Sequence, residues 1–215
     1  PRKHQAYLHK QIDKNRWNVL VCHRRFGKTV CMINHLIRSA LLSKLKNPRF
    51  AYIAPTFKQA KSIAWDYMKQ FTAKIPHTKF NETELRVDLP NGARITLLGS
   101  ESPDGLRGIY LDGCVIDEYA NVNSKLFPEI IRPALSDRKG YCVFIGTPMG
   151  MNNNFYELYQ HAQGAEDWFN YKAKASDTKI VDDDELVKAK EVMGEKKYNQ
   201  EFECDWIANI EGAVY

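Results

Sequence analysis

No hydrophobic run in this sequence is long enough to cross a bilayer. The longest, VLVC at 19–22 and YCVFI at 141–145, fall far short of the roughly 20 residues a spanning helix needs. The opening PRKHQAY lacks the apolar stretch of a secretory signal, so neither a membrane nor a secreted class is expected. Paired cysteines are missing too. Cys22, Cys31, Cys114, Cys142 and Cys204 form no CxxC and sit mostly in apolar runs, where a thiol acts as a small hydrophobe. The six histidines do not join them at zinc-ligand spacing, so reduced, intracellular chemistry without a structural zinc is expected. Acids are scarce in the first part of the chain. Residues 1–80 hold 17 Lys and Arg against only Asp13 and Asp66, whereas residues 81–215 hold 14 against 24 acids. Such a split suits a polyanion partner, or basic-to-acidic contact between copies of the chain, as well as a plain solvated surface. There is no initiator methionine before Pro1 and the end, AVY, is apolar, which points to a piece of a longer protein.

What is present is ordinary globular material: 44% hydrophobic and 27% charged over 215 residues, enough for one domain with an appendage. Strand and helix patterns alternate, the signature of an α/β fold with a mainly parallel sheet. A helix is expected over 4–15, a buried strand over 17–22, and a helix over 28–44 that closes before Asn47-Pro48. A short strand at 50–54, a helix from about 57 to 74, and a hairpin over 85–98 around Pro-Asn-Gly follow. Buried strands at 113–118 and in the 140s flank a helix around 124–135. Composition changes after about 165, where WFNYKAKA reads as a strand before a polar helical tail. The expected division is a core over 1–165 and a small subdomain over 166–215.

The strongest local signal is VLVCHRRFGKT. A phosphate-binding loop needs a strand, a turn of exposed N–H groups, a lysine for the β- and γ-phosphates, a hydroxyl for Mg²⁺, and a helix N-terminus. Lys28 and Thr29 follow Gly27 at the strand-to-helix junction, with Arg24, Arg25 and Phe26 in the loop; the first glycine of the usual P-loop pattern is replaced by Cys22. The complementary half is a buried strand ending in carboxylates. GCVIDE provides it, with Asp117 for a metal-bound water and Glu118 to polarise the attacking water. A third strand ends in Thr147-Pro148, where Thr147 either senses the γ-phosphate or sits in an ordinary turn. Gln5 is placed to read both edges of adenine, or lies on the surface. Arg107, in DGLRG between Gly105 and Gly108, can serve its own site or a neighbour's, or occupy a solvated turn.

These motifs in order, RRFGKT without a leading glycine, DGLRG before VIDE, FIGTP, and QEFECDW in the tail, resemble the ATPase domain of the large terminase subunit, the motor that packages DNA into tailed-virus procapsids. The resemblance covers essentially the whole chain. It implies a RecA-like core with added strands, a lid or linker subdomain over the tail, and ATP with Mg²⁺ as ligands. Its expected partners are double-stranded DNA, a portal protein, a small terminase subunit and a homo-oligomeric ring, typically a pentamer, in the cytoplasm of an infected host; the isolated fragment is expected to be a monomer. It implies a nuclease domain following this chain, whose acidic triad is absent here, and favours Arg107 acting in trans and Thr147 as the coupling residue. On a helix of about 100° per residue, Trp65 and Lys69 each fall within about 20° of Lys58 and Lys61 about 60° from it. That face suits a DNA backbone, or is a solvated face with Trp65 folded back. PTFKQAK and the GTP loop also resemble one lobe of a helicase, and a nucleotide-gated assembly module without turnover shares the same loop.

Overall fold

The computed structural model describes residues 2–101 and 106–207. In chain order the elements are α1 (Lys3–Ile12), β1 (Trp17–Cys22), α2 (Lys28–Leu42), β2 (Arg49–Ala54), α3 (Phe57–Ala60), a π turn (Lys61–Trp65) and α4 (Asp66–Thr72). Next come β3 (Lys79–Asn81), β4 (Arg86–Asp88), β5 (Arg94–Gly99), β6 (Gly113–Ile116), a 3₁₀ turn (Tyr119–Asn121), a second π segment (Leu126–Ile131) and α5 (Arg132–Ala134). The chain ends with β7 (Tyr141–Gly146), α6 (Asn154–Ala162), β8 (Trp168–Ala173), α7 (Ala175–Thr178), α8 (Asp183–Met193) and α9 (Glu195–Phe202). The fold class is α/β with a mainly parallel sheet, as the alternation of patterns suggests.

Two compact units are present, residues 29–143 and residues 1–28 with 144–215. In the first, the strand order is β3-β4-β5-β2-β6. β2 runs parallel to both β5 and β6. β3, β4 and β5 form an antiparallel meander, so the expected hairpin gains a third strand, β3, whose three residues are too polar to stand out. β2 buries five of its six residues, as a strand enclosed on both faces must. Cys31, Met32, Ile33, Leu36, Ile37 and Ala40 form the buried stripe of α2. Asn91 closes that helix by donating its side-chain amide to the Ala40 carbonyl at 2.9 Å, which satisfies one of its orphan acceptors.

The segment 57–72 departs from the single regular helix expected. Thr56 caps its start by accepting from the Gln59 N–H, but residues 61–65 form a π turn. A π turn carries one residue more than an α turn, so everything after it is rotated by about 100°. Trp65 is therefore buried, 2% exposed, while Ile63 and Tyr67 emerge at 40% each.

In the second unit, β7, β1 and β8 lie in that order. All six residues of β1 are buried, and it pairs in parallel with β8 from Trp17↔Trp168 to Cys22↔Ala173. Trp168 stacks between Trp17 and Phe144. Helix α6 is not among the elements expected from the sequence; Asn153 starts it by accepting from the N–H groups of Phe155 and Tyr156. The tail helices gather around Ala175, Leu186 and Phe202.

Candidate active site

The loop 22–27 leaves β1 through two left-handed residues, Arg25 (φ 70°) and Gly27 (φ 85°). Between them the Phe26 N–H donates back to the His23 carbonyl at 3.2 Å, so the loop closes as a tight turn. Gly27 holds a φ that is strained for other residues, and a Cβ there would also press on the end of the Gln5 side chain at 3.1 Å. Phe26 is fully buried and anchors the loop from beneath, whereas Arg24 and Arg25 are exposed. Gln5 donates to the Gly27 carbonyl at 3.3 Å and accepts from the Arg2 N–H at 3.0 Å. The first helix therefore braces the loop with the side chain expected to read a base.

His23, to which sequence reasoning assigned no role, organises the loop. It is wholly buried and packs edge-on against Phe26. Its Nδ1 lies 2.6 Å from the Arg24 carbonyl, and a carbonyl only accepts, so Nδ1 carries the proton. Nε2 then accepts from the Thr178 hydroxyl at 2.8 Å. Burial holds the imidazole below its ordinary pKa, consistent with this neutral form. Helix α9 grips the loop as well: the Arg24 N–H donates to the Glu201 carbonyl at 2.8 Å, and the guanidinium lies 3.9 Å from the Glu201 carboxylate.

Thr147, after β7, is buried at 8% exposure. The carbonyl of Pro148 beside it accepts from Gln200 of α9 at 2.6 Å. Arg24 and Pro148 are thus held by consecutive residues of one helix.

In the other unit, Thr29 near the start of α2 and Asp117 after β6 come together. The Thr29 hydroxyl lies 3.5 Å from Asp117 Oδ2, across 88 residues of sequence. Oδ1 of Asp117 accepts from the Glu118 N–H at 2.9 Å, and its own N–H donates to Ile53 at 2.7 Å, extending the β2–β6 ladder. Tyr52 of β2 donates its hydroxyl to Asp117 Oδ2. Burial, and then the Asp117 charge, pushes the Tyr52 phenol well above its ordinary pKa, so it remains a donor. Tyr52 was not legible as a site residue, because an aromatic in a buried strand reads as core. Glu118 takes a left-handed conformation, φ 46° and ψ 49°. That is costly for a non-glycine residue and aims its side chain differently from a continued strand.

The remaining expectations divide. Arg107 is exposed and its guanidinium lies 3.8 Å from the Glu129 carboxylate. Gly105 falls outside the described residues. Lys58 and Lys61 are exposed. Lys69 pairs with Asp66 at 3.5 Å and Glu82 at 3.2 Å. Trp65 is folded back into the domain: its indole N–H donates to Glu82 at 2.7 Å, and Lys69, which pairs with the same carboxylate, lies 5.6 Å from its ring centre.

The family profile described as terminase large subunit, T4likevirus-type, N-terminal, matches residues 21–215. The large terminase subunit of Thermus phage G20c is 30% identical over 126 residues, 50% of this chain and 26% of that protein. The chain thus spans about a quarter of the length of the curated relatives it matches. Among solved structures, the large terminase ATPase domain of Thermus phage P74-26 superposes with a TM-score of 0.79 at 20% identity, covering 96% of this chain and 94% of that one. The large terminase of a further thermophilic bacteriophage, solved in complex with ADP, gives 0.82 at 16% identity, over 95% and 53%.

Proposed function

Since the chain belongs to the T4likevirus-type large terminase family as its N-terminal part, we propose that it is an ATP-hydrolysing motor domain that drives double-stranded viral DNA into a procapsid. The observation that carries the reading is the approach of the Thr29 hydroxyl to Asp117 at 3.5 Å. A strand-end carboxylate held against the hydroxyl that follows the loop lysine is what phosphoryl transfer from a nucleotide requires. The helicase reading is not favoured, because the profile match and the cited structural neighbours are terminases.

The donor set fits Mg²⁺: one carboxylate and one hydroxyl are hard oxygen ligands, and this ion draws its remaining ligands from phosphates and water. When bound, Mg²⁺ would neutralise charge on the phosphates. The chain's own residues do the rest. The backbone at Arg25 and Gly27 faces the phosphates, with Arg24 and Phe26 shaping the turn, while Lys28 reaches the β- and γ-phosphates. Gln5 borders the adenine end. Glu118 orients the attacking water and takes its proton. Arg107 acts on the site of a neighbouring subunit, releasing Glu129 to do so. Thr147 reports the loss of the γ-phosphate through Pro148 and Gln200 to the tail, 166–215, which serves as lid and linker. Lys58 and Lys61, with Lys69 once freed from its acids, meet DNA phosphates; Trp65 is structural. The working assembly is a ring on a portal protein, fed by a small subunit, in the host cytoplasm.

Comparing Lys28→Ala with Glu118→Ala tests the reading. Loss of the ammonium weakens ATP binding and turnover together, because it contacts phosphates in the ground state. Loss of the carboxylate leaves ATP bound and uncleaved. Near-normal hydrolysis by Glu118→Ala removes it as the base.

A further inference from the structure

Tyr52 has no assigned part in the site, yet its surroundings are those of a working group. It lies on β2, fully buried, paired in register with Val115 of β6. Its hydroxyl donates to Asp117 Oδ2, the oxygen that Thr29 also approaches, while the Glu118 N–H occupies Oδ1. Both oxygens are therefore fixed by donors, one from backbone and one from Tyr52. Thr29 must turn its oxygen to the phosphates to serve them, and Tyr52 then remains as a side-chain donor on Oδ2. A phenylalanine would fill the same space without the hydroxyl, so packing alone does not call for tyrosine here.

We propose that Tyr52 is a positioning residue: its phenol holds the Asp117 carboxylate in the one orientation that, with Thr29, receives a phosphate-bound divalent cation. The proposal rests on the reading of Asp117 given above. Outer donors of this kind typically change metal affinity by about 10- to 100-fold when removed.

The experiment is calorimetric titration of the 215-residue chain with ADP, in EDTA and across a Mg²⁺ series, for the wild type, Tyr52→Phe, Asp117→Asn and the double variant. Tyr52→Phe should bind ADP in EDTA as the wild type does, yet need about 10-fold or more Mg²⁺ for the same strengthening. Asp117→Asn should lose that strengthening, and adding Tyr52→Phe to it should change nothing further. If Asp117→Asn keeps the full Mg²⁺ response, the reading of Asp117 fails, and the proposal with it. If Asp117→Asn loses the response while Tyr52→Phe keeps it, or if the two losses add, the proposal alone is overturned. Should Tyr52→Phe not fold, tyrosine Raman spectra of the wild type and Asp117→Asn decide. A strong-donor signature that Asp117→Asn weakens supports the clamp, and identical spectra overturn it.

Discussion

Replacing Thr178 by valine removes one buried hydroxyl while keeping the shape of the side chain. Thr178 is 9% exposed and its hydroxyl is the donor to His23 Nε2 at 2.8 Å. The proton on Nδ1 is committed to the Arg24 carbonyl, so the ring cannot change tautomer to escape. The valine variant therefore strands a buried acceptor, a loss of about 1–3 kcal/mol. For a chain of this length each kcal/mol lowers the melting temperature by about 2–4 °C, so calorimetry at pH 7.5 should show a drop of about 2–12 °C. The same loosening reaches Arg24 and the phosphate loop, so the KM for ATP should rise more than kcat falls. In a His23→Leu background the hydroxyl has no acceptor left to serve, and the valine substitution should then cost little. A melting temperature equal to the wild type, or an undiminished effect in the His23→Leu background, would refute the hydrogen-bonded chain from α7 to the loop.

Other outcomes follow from the same geometry. Because His23 titrates below its ordinary value near 6.5 in the folded chain, the unfolded chain takes up the proton first. Its contribution to stability is complete above that value and is lost as the pH falls below it, so His23→Asn should flatten the acid decline in melting temperature between pH 6.5 and 5. Mixing Arg107→Ala with Glu118→Ala should restore ATPase activity at concentrations where chains associate, since mixed assemblies hold intact Arg107 opposite intact Glu118; no recovery would confine Arg107 to its own chain or to no role. Lys58→Ala with Lys61→Ala should lower the slope of log binding constant against log salt for duplex DNA by about one unit per lost phosphate contact, and an unchanged slope would place the DNA surface elsewhere.

Elements that bury both faces were readable in advance. VLVC, YIA, CVI and CVFI are apolar without alternation, and each proved to be a strand. The carboxylates at 117–118 and the GKT junction were readable because their chemistry restricts residue type. Of the two readings of Trp65, the structure has the folded-back one, 2% exposed; a helical wheel assumes a constant angle per residue and does not anticipate the π turn at 61–65. Tyr52 and His23 stayed hidden for another reason. Their roles depend on partners 65 and 155 residues away, and nothing in their own neighbourhood distinguishes them from core aromatics. Helix α6 rests on an Asn153 cap among three asparagines that read equally well as a loop.

Gln200 and Glu201 are neighbours on one short helix, and each holds a different loop: Gln200 the turn after β7 and Glu201 the turn after β1. Side chain and carbonyl on consecutive residues of a helix are rigidly related, so these two turns are ganged like two switches on a single shaft. A rotation or slide of α9 displaces both at once, and a displacement of either turn is felt by the other through the helix. Whatever is bound between the two turns therefore works against a single mechanical load rather than two independent ones.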